Sequence, residues 1–103
     1  MGQDGVHRIA SNERELWELP VHWSLDDAPH FAAGGEPDAL WRIWSAELAA
    51  ARADRRHLTY TLHPEILGRP SRLPLLERLL EESLAAGAWI APHRDVVAHV
   101  ASL

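Results

Sequence analysis

The stretch Thr61-Leu62-His63-Pro64-Glu65-Ile66-Leu67-Gly68-Arg69-Pro70-Ser71-Arg72 decides how this chain is read. The β-type run Leu58-Thr59-Tyr60-Thr61-Leu62 delivers His63 at its C-terminal end. A turn with Pro64, Gly68 and Pro70 follows, carries Arg69 and Arg72, and leads into a leucine-rich helix. In α/β folds the C-terminal end of a strand lies at the mouth of the sheet or barrel, where ligands bind. The stretch therefore offers a general acid or base and two anion-binding groups close together.

Working outward from it, alternating elements are expected. Ser71 suits the N-cap of a helix from Arg72 to Ala86 that stops at Gly87, with Leu73, Leu76, Leu80 and Leu84 on its buried face. Ala88-Trp89-Ile90-Ala91 reads as a short strand, and Pro92 opens a last helix carrying Val96, Val97 and Val100. Upstream, Trp41, Trp44, Leu48 and Ala51 recur at helical steps and make one apolar face of a helix from about Pro37 to Arg55. Val21 to Pro37 reads as a long loop. Before it, Ile9-Ala10 and Leu16-Trp17-Glu18-Leu19 flank the turn-like Ser11-Asn12-Glu13-Arg14, which predicts a hairpin or irregular pair with Leu16–Pro20 the firmer strand. Alternation of strands and helices predicts parallel strands joined by crossover helices. About three strands and three helices make an open sheet with unpaired edges, half of a larger architecture.

Composition narrows the function. The chain has 103 residues, 47% hydrophobic and 24% charged, which is the balance of one globular domain. A formal net charge of −5 argues against a nucleic-acid partner. No apolar run approaches the roughly 18–20 residues of a membrane span, and the N-terminus lacks signal-peptide features. There is no cysteine, which excludes disulfides and thiolate metal sites and is compatible with a cytoplasmic location.

Two blocks, Leu19-Pro20-Val21-His22-Trp23-Ser24-Leu25-Asp26-Asp27-Ala28-Pro29-His30-Phe31 and Leu62 through Arg72, resemble the C-terminal part of polysaccharide deacetylases with the NodB homology domain. The likeness is strongest to the bacterial branch that includes metal-independent, allantoinase-like members. Leu75–Leu79 and Ala88–Ala91 continue it. The resemblance implies α/β architecture: the last third of a distorted (β/α) barrel, with residues 1–103 a partial domain whose N-terminal metal-binding part is missing. It implies hydrolysis of carbon–nitrogen bonds in acetylated polysaccharides or small amides and ureides. Full-length relatives often bind a divalent metal such as zinc through an aspartate and two histidines near the barrel's start, with a second aspartate as base. None of those motifs is here, so no cofactor is expected in this chain, and it is expected to be inactive alone. Met1-Gly2-Gln3-Asp4 resembles a segment internal to such proteins.

The candidate residues each carry two readings. His63 titrates near neutrality and could donate a proton to a leaving amine, or it could be a backbone-bonded histidine. The resemblance assigns it to the oxyanion or the leaving group. Asp26 and Asp27 could orient a histidine or bind a sugar hydroxyl, or cap a turn. Because sequence neighbours rarely point into one site, only one, Asp26, is expected to be functional. Trp23 resembles the family's aromatic wall. Arg69 and Arg72 are candidate substrate contacts, or clamps tying the loop to Asp26, Asp27 or Glu65. The spacings His57–His63 and His93–His99 rotate about 600° on a helix and share no face. No carboxylates cluster near a histidine in the sequence, so no self-contained metal site is expected. A second function class remains: a non-catalytic module that pairs with another chain, or self-associates, through an exposed sheet edge and tryptophans. Trp17 and Trp89 are expected in the core, and Trp41 and Trp44 in core or interface.

Overall fold

The structure is a computed structural model, described here for residues 5–11 and 14–103. Asn12 and Glu13, at the centre of the expected turn, lie outside the described residues. The chain is mixed α and β. Among the described residues two strands, β1 (His7–Ser11) and β2 (Arg14–Glu18), precede five helices: α1 (Asp27–Ala32), α2 (Pro37–Asp54), α3 (Pro64–Leu67), α4 (Leu73–Ala85) and α5 (His93–Ala101). A 3-10 turn at Trp23–Leu25 leads into α1. Two compact units result, one of residues 1–20 with 89–103 and one of residues 21–88.

In the first unit β1 and β2 pair antiparallel, with His7 opposite Glu18 and Ile9 opposite Leu16. His7 Nε2 lies 3.0 Å from the Glu18 carboxylate across that register. The firmer strand is Arg14–Glu18, so it starts and stops earlier than its apolar residues suggest. Val96 on α5 is buried, with Val97 and Val100 half-buried beside it. Trp89–Ile90 forms no strand and is exposed, against expectation. Trp89 instead packs edge-on against His99, ring centroids 5.6 Å apart. The run has strand-forming residues but no strand to pair with among the described residues, and pairing is what makes a strand.

The second unit has one apolar core of Leu25, Leu40, Trp44, Leu67, Leu75 and Leu79, flanked by Phe31, Trp41, Leu58, Tyr60 and Leu76. Helix α2 follows its periodicity. Pro37 occupies the first turn, where a missing amide costs nothing, and Trp44 is fully buried with its indole N–H donating to the Ser24 carbonyl at 3.0 Å. The Tyr60 hydroxyl donates to the Trp44 carbonyl at 3.2 Å. Burial, and secondarily the charge of Glu47, push the Tyr60 hydroxyl up to about 12, which keeps it a neutral donor. Arg78 lies over the Trp41 ring at 4.6 Å, which leaves that indole half-buried at the helix interface.

Helix α4 corrects the expected face. Leu75, Leu79 and Ser83 are buried, whereas Leu73, Leu80 and Leu84 are exposed. Leucines at 73, 75, 76, 79, 80 and 84 cover more than half the helix circumference, so periodicity alone admits two faces. Packing against α2 selects between them. The helix starts at Leu73 behind Arg72, without a side-chain cap from Ser71. It ends as expected: Gly87, at φ 79, donates to Leu84, and the next amide, Ala88, donates to Ser83 at 3.0 Å, which closes a Schellman turn.

The expected long loop is partly helical. Asp26 accepts the Ala28 amide at 3.0 Å and caps α1, a helix too short to register as a 3.6 period. The expected strand Leu58–Leu62 runs into a single parallel bridge, Asp26 to Thr61. Thr61 donates to Leu25 at 2.8 Å and accepts from Asp27 at 3.1 Å. No parallel sheet of three strands forms among the described residues, because this segment finds only that one neighbour.

The corrected face of α4 has a measurable consequence. Leu75→Ala should cost about 2–4 kcal/mol in denaturant unfolding, as for a buried leucine. Leu84→Ala, at 65% exposure, should cost less than about 0.5 kcal/mol. Equal losses at the two positions would show that the face is wrongly assigned.

Candidate active site

The parallel bridge sets two chain segments side by side, and both turn into a helix immediately after it. Asp26 caps α1 and His63 precedes α3. Their side chains consequently emerge at the same end of the pair, the carboxyl end at which α/β folds place ligands.

Asp27 grips His63 twice. Its Oδ2 accepts the His63 backbone amide at 2.9 Å, and its Oδ1 lies 2.6 Å from the ring Nδ1. The Asp27 side chain is completely buried, whereas that of His63 is 37% exposed. A carboxylate held on Nδ1 fixes the tautomer and ring orientation. With Nδ1 so engaged, Nε2 is the nitrogen left to act, and among the described residues it has no protein partner. Asp26 Oδ1 lies 3.8 Å from the same Nδ1. The hydrogen bond to Asp27 chiefly raises the His63 imidazole above its ordinary 6.5. Desolvation opposes the rise, and the charges of Asp27, Asp26 and Glu65 reinforce it.

Both adjacent carboxylates thus lie near one histidine, and the one in hydrogen-bond contact is Asp27. The sequence separation of 36 residues between Asp27 and His63 hid this cluster. A signal was present in Asp26-Asp27-Ala28-Pro29: a proline in a first helical turn points to a cap just before it. That reading assigns Asp26 to the helix end and frees Asp27.

The other candidates are placed as follows. Trp23 is 69% exposed on the 3-10 turn, and its carbonyl accepts the Asp26 amide at 3.2 Å. Arg69 is exposed, and its carbonyl takes the amides of Arg72 and Leu73 at 2.8 Å. Neither arginine forms an ion pair with Asp26, Asp27 or Glu65 among the described residues. Arg72 instead donates to the Ile66 carbonyl at 3.1 Å and stacks its guanidinium 4.0 Å above the Phe31 ring. Gly68 is required by close approach: its amide meets the Pro64 carbonyl, and a Cβ there would collide with that oxygen.

Asp26, Asp27 and His63 bring three potential metal-ligand atoms within 4.8 Å of one another. A cation bound through His63 Nδ1 does not fit. Both Asp27 oxygens serve His63, Asp26 Oδ1 serves the Ala28 amide, and a 2.6 Å N···O contact needs a proton between its atoms. A metal at Nδ1 would displace the hydrogen bond that orients the ring.

No family model matches the chain, and no curated protein does. Among solved structures it is similar to "Crystal structure of putative polysaccharide deacetylase from Mycobacterium smegmatis", with TM-score 0.84 and 31% sequence identity over 96% of this chain. The match spans 38% of that longer protein. The polysaccharide deacetylase family is therefore the one this chain resembles, in its backbone as in its two sequence blocks.

Proposed function

We propose that this chain is the C-terminal part of a distorted (β/α) barrel and supplies the proton-donating half of a deacetylase-type active site. The Asp27–His63 pair is the observation that carries the reading. Water adds to the carbonyl carbon of an N-acetyl group and gives a tetrahedral oxyanion. Its proton goes to a base elsewhere in the barrel, because Asp27 is buried and both its oxygens are engaged. Protonated His63 then presents Nε2–H to the oxyanion or to the departing nitrogen. When the carbon–nitrogen bond breaks, that proton leaves with the amine. Asp27 keeps the ring in the tautomer that makes this possible, as an orienting carboxylate does in other histidine dyads. Trp23 supplies an apolar wall for a sugar ring, and Arg69 a polar contact at the rim. The substrate is an acetylated polysaccharide or a small amide or ureide, encountered in the cytoplasm.

A second reading, a non-catalytic module that pairs edge to edge with another chain or with a second copy, is favoured by one observation. Leu58, Thr59 and Tyr60 make no backbone–backbone hydrogen bonds among the described residues, and a bare edge is a template for pairing. Sedimentation that shows a monomer at every concentration would count against it. No helix among the described residues is long and apolar enough to cross a membrane.

The pH dependence follows from the sign of the shift. His63 lies above 6.5 in the folded chain. Its pairing with Asp27 therefore contributes stability fully below that value and loses it as pH rises through the folded value. Asp27→Asn should return the His63 midpoint toward 6.5, read from its ring Cε1–H signal by NMR. It should also remove the extra stability of the native chain on the acid side. A variant with the native midpoint would disprove the pairing.

An acetate-release assay on an N-acetylated sugar oligomer should give no turnover with the purified chain, with or without added zinc. The same oligomer should perturb the His63 and Trp23 NMR signals, and Trp23→Ala should abolish that perturbation. Turnover by the chain alone would overturn the division of the site. An oligomer that perturbs neither signal would overturn the deacetylase reading.

A further inference from the structure

Arg72 touches the elements that carry His63 and Asp27 without touching either residue. Its guanidinium carbon lies 4.0 Å above the ring of Phe31, on α1. Its Nη1 donates to the carbonyl of Ile66, on α3. Its own backbone precedes α4, and its carbonyl accepts the Leu75 amide at 2.9 Å. Helix α1 begins with Asp27 and has six residues; α3 follows His63 and has four. Helices this short cannot hold their own direction, since their few internal hydrogen bonds barely offset nucleation. Contacts with the surroundings must set the angle between them. A planar guanidinium can stack through its face and donate through its edge simultaneously, which an ammonium cannot.

We propose that Arg72 is a positioning residue, a clamp that holds α1 against α3 and so keeps the Asp27 carboxylate in hydrogen-bond contact with His63. This role rests on His63 and Asp27 being the working pair. It takes Arg72 out of the substrate contacts, because its face is already stacked on Phe31 and one edge nitrogen already donates to Ile66.

The test follows the His63 ring Cε1–H signal against pH in the native chain and in Arg72→Ala, Arg72→Lys and Phe31→Leu. The charges acting on His63 are Asp27, Asp26 and Glu65, and none of these changes in the variants. If Arg72 positions the pair, Arg72→Ala lowers the His63 midpoint toward 6.5, its ordinary value. If Arg72 acted only by its charge, removing a cation would raise the midpoint, so the two roles differ in sign. Arg72→Lys keeps the charge and should recover only part of the native midpoint. Phe31→Leu keeps every charge and should lower the midpoint as well, and it serves as the readout if Arg72→Ala does not fold. A midpoint unchanged or raised in Arg72→Ala, or unchanged in Phe31→Leu where Arg72→Ala does not fold, overturns the clamp. A native midpoint at or below 6.5 would instead overturn the His63–Asp27 pair itself, a separate failure.

Discussion

The parallel bridge between Asp26 and Thr61 is two hydrogen bonds long, and the placement of the site depends on it. It fixes Leu25–Asp26 beside Thr61, and each segment becomes a helix within two or three residues. Side chains at those transitions have nowhere to go but the same end of the pair. The bridge is supported from below by the core: Leu25 on one segment and Tyr60 on the other both pack around Trp44. The indole N–H and the tyrosine hydroxyl each anchor a different backbone carbonyl there. Core and site are therefore coupled through a single turn of chain on each side.

Much of this was legible in the sequence, for identifiable reasons. Helix α2 could be read because Pro37 marks its start and Trp41, Trp44, Leu48 and Ala51 fall on one stripe. The stop of α4 could be read because only glycine takes φ 79 without strain. His63 stood out because it follows a β-type run and precedes a proline. The buried face of α4 could not be read, since its leucines are distributed around the helix and only the neighbour selects among them. The contact between Asp27 and His63 was out of reach, because it joins residues 36 apart, although Pro29 already marks Asp26 as the helix cap. Local chemistry names the residues, and tertiary packing assigns their jobs.

The run Leu58–Leu62 shows the same division from the other side. Its composition is that of a strand, and it leads into the bridge, yet Leu58, Thr59 and Tyr60 make no backbone–backbone hydrogen bonds among the described residues. The Thr59 hydroxyl is likewise buried without a partner among them. Strand propensity describes fitness for a pleated, half-buried surface and does not itself supply the neighbouring strands. A segment with that composition and those open groups is suited to a larger sheet.

Asp27 is the residue hardest to explain by stability alone. Taking a carboxylate fully out of water costs on the order of several kcal/mol, and an ion pair in the interior often fails to offset that cost. An apolar side chain there would avoid that cost but would leave the His63 amide and ring nitrogen without an acceptor. What the carboxylate provides instead is direction. Both its oxygens are spent on one residue, the His63 amide and ring, so the histidine's main chain and side chain are fixed together. A histidine needed only for packing has no use for such a grip. One that must hold a proton on Nε2, in a known place, depends on it.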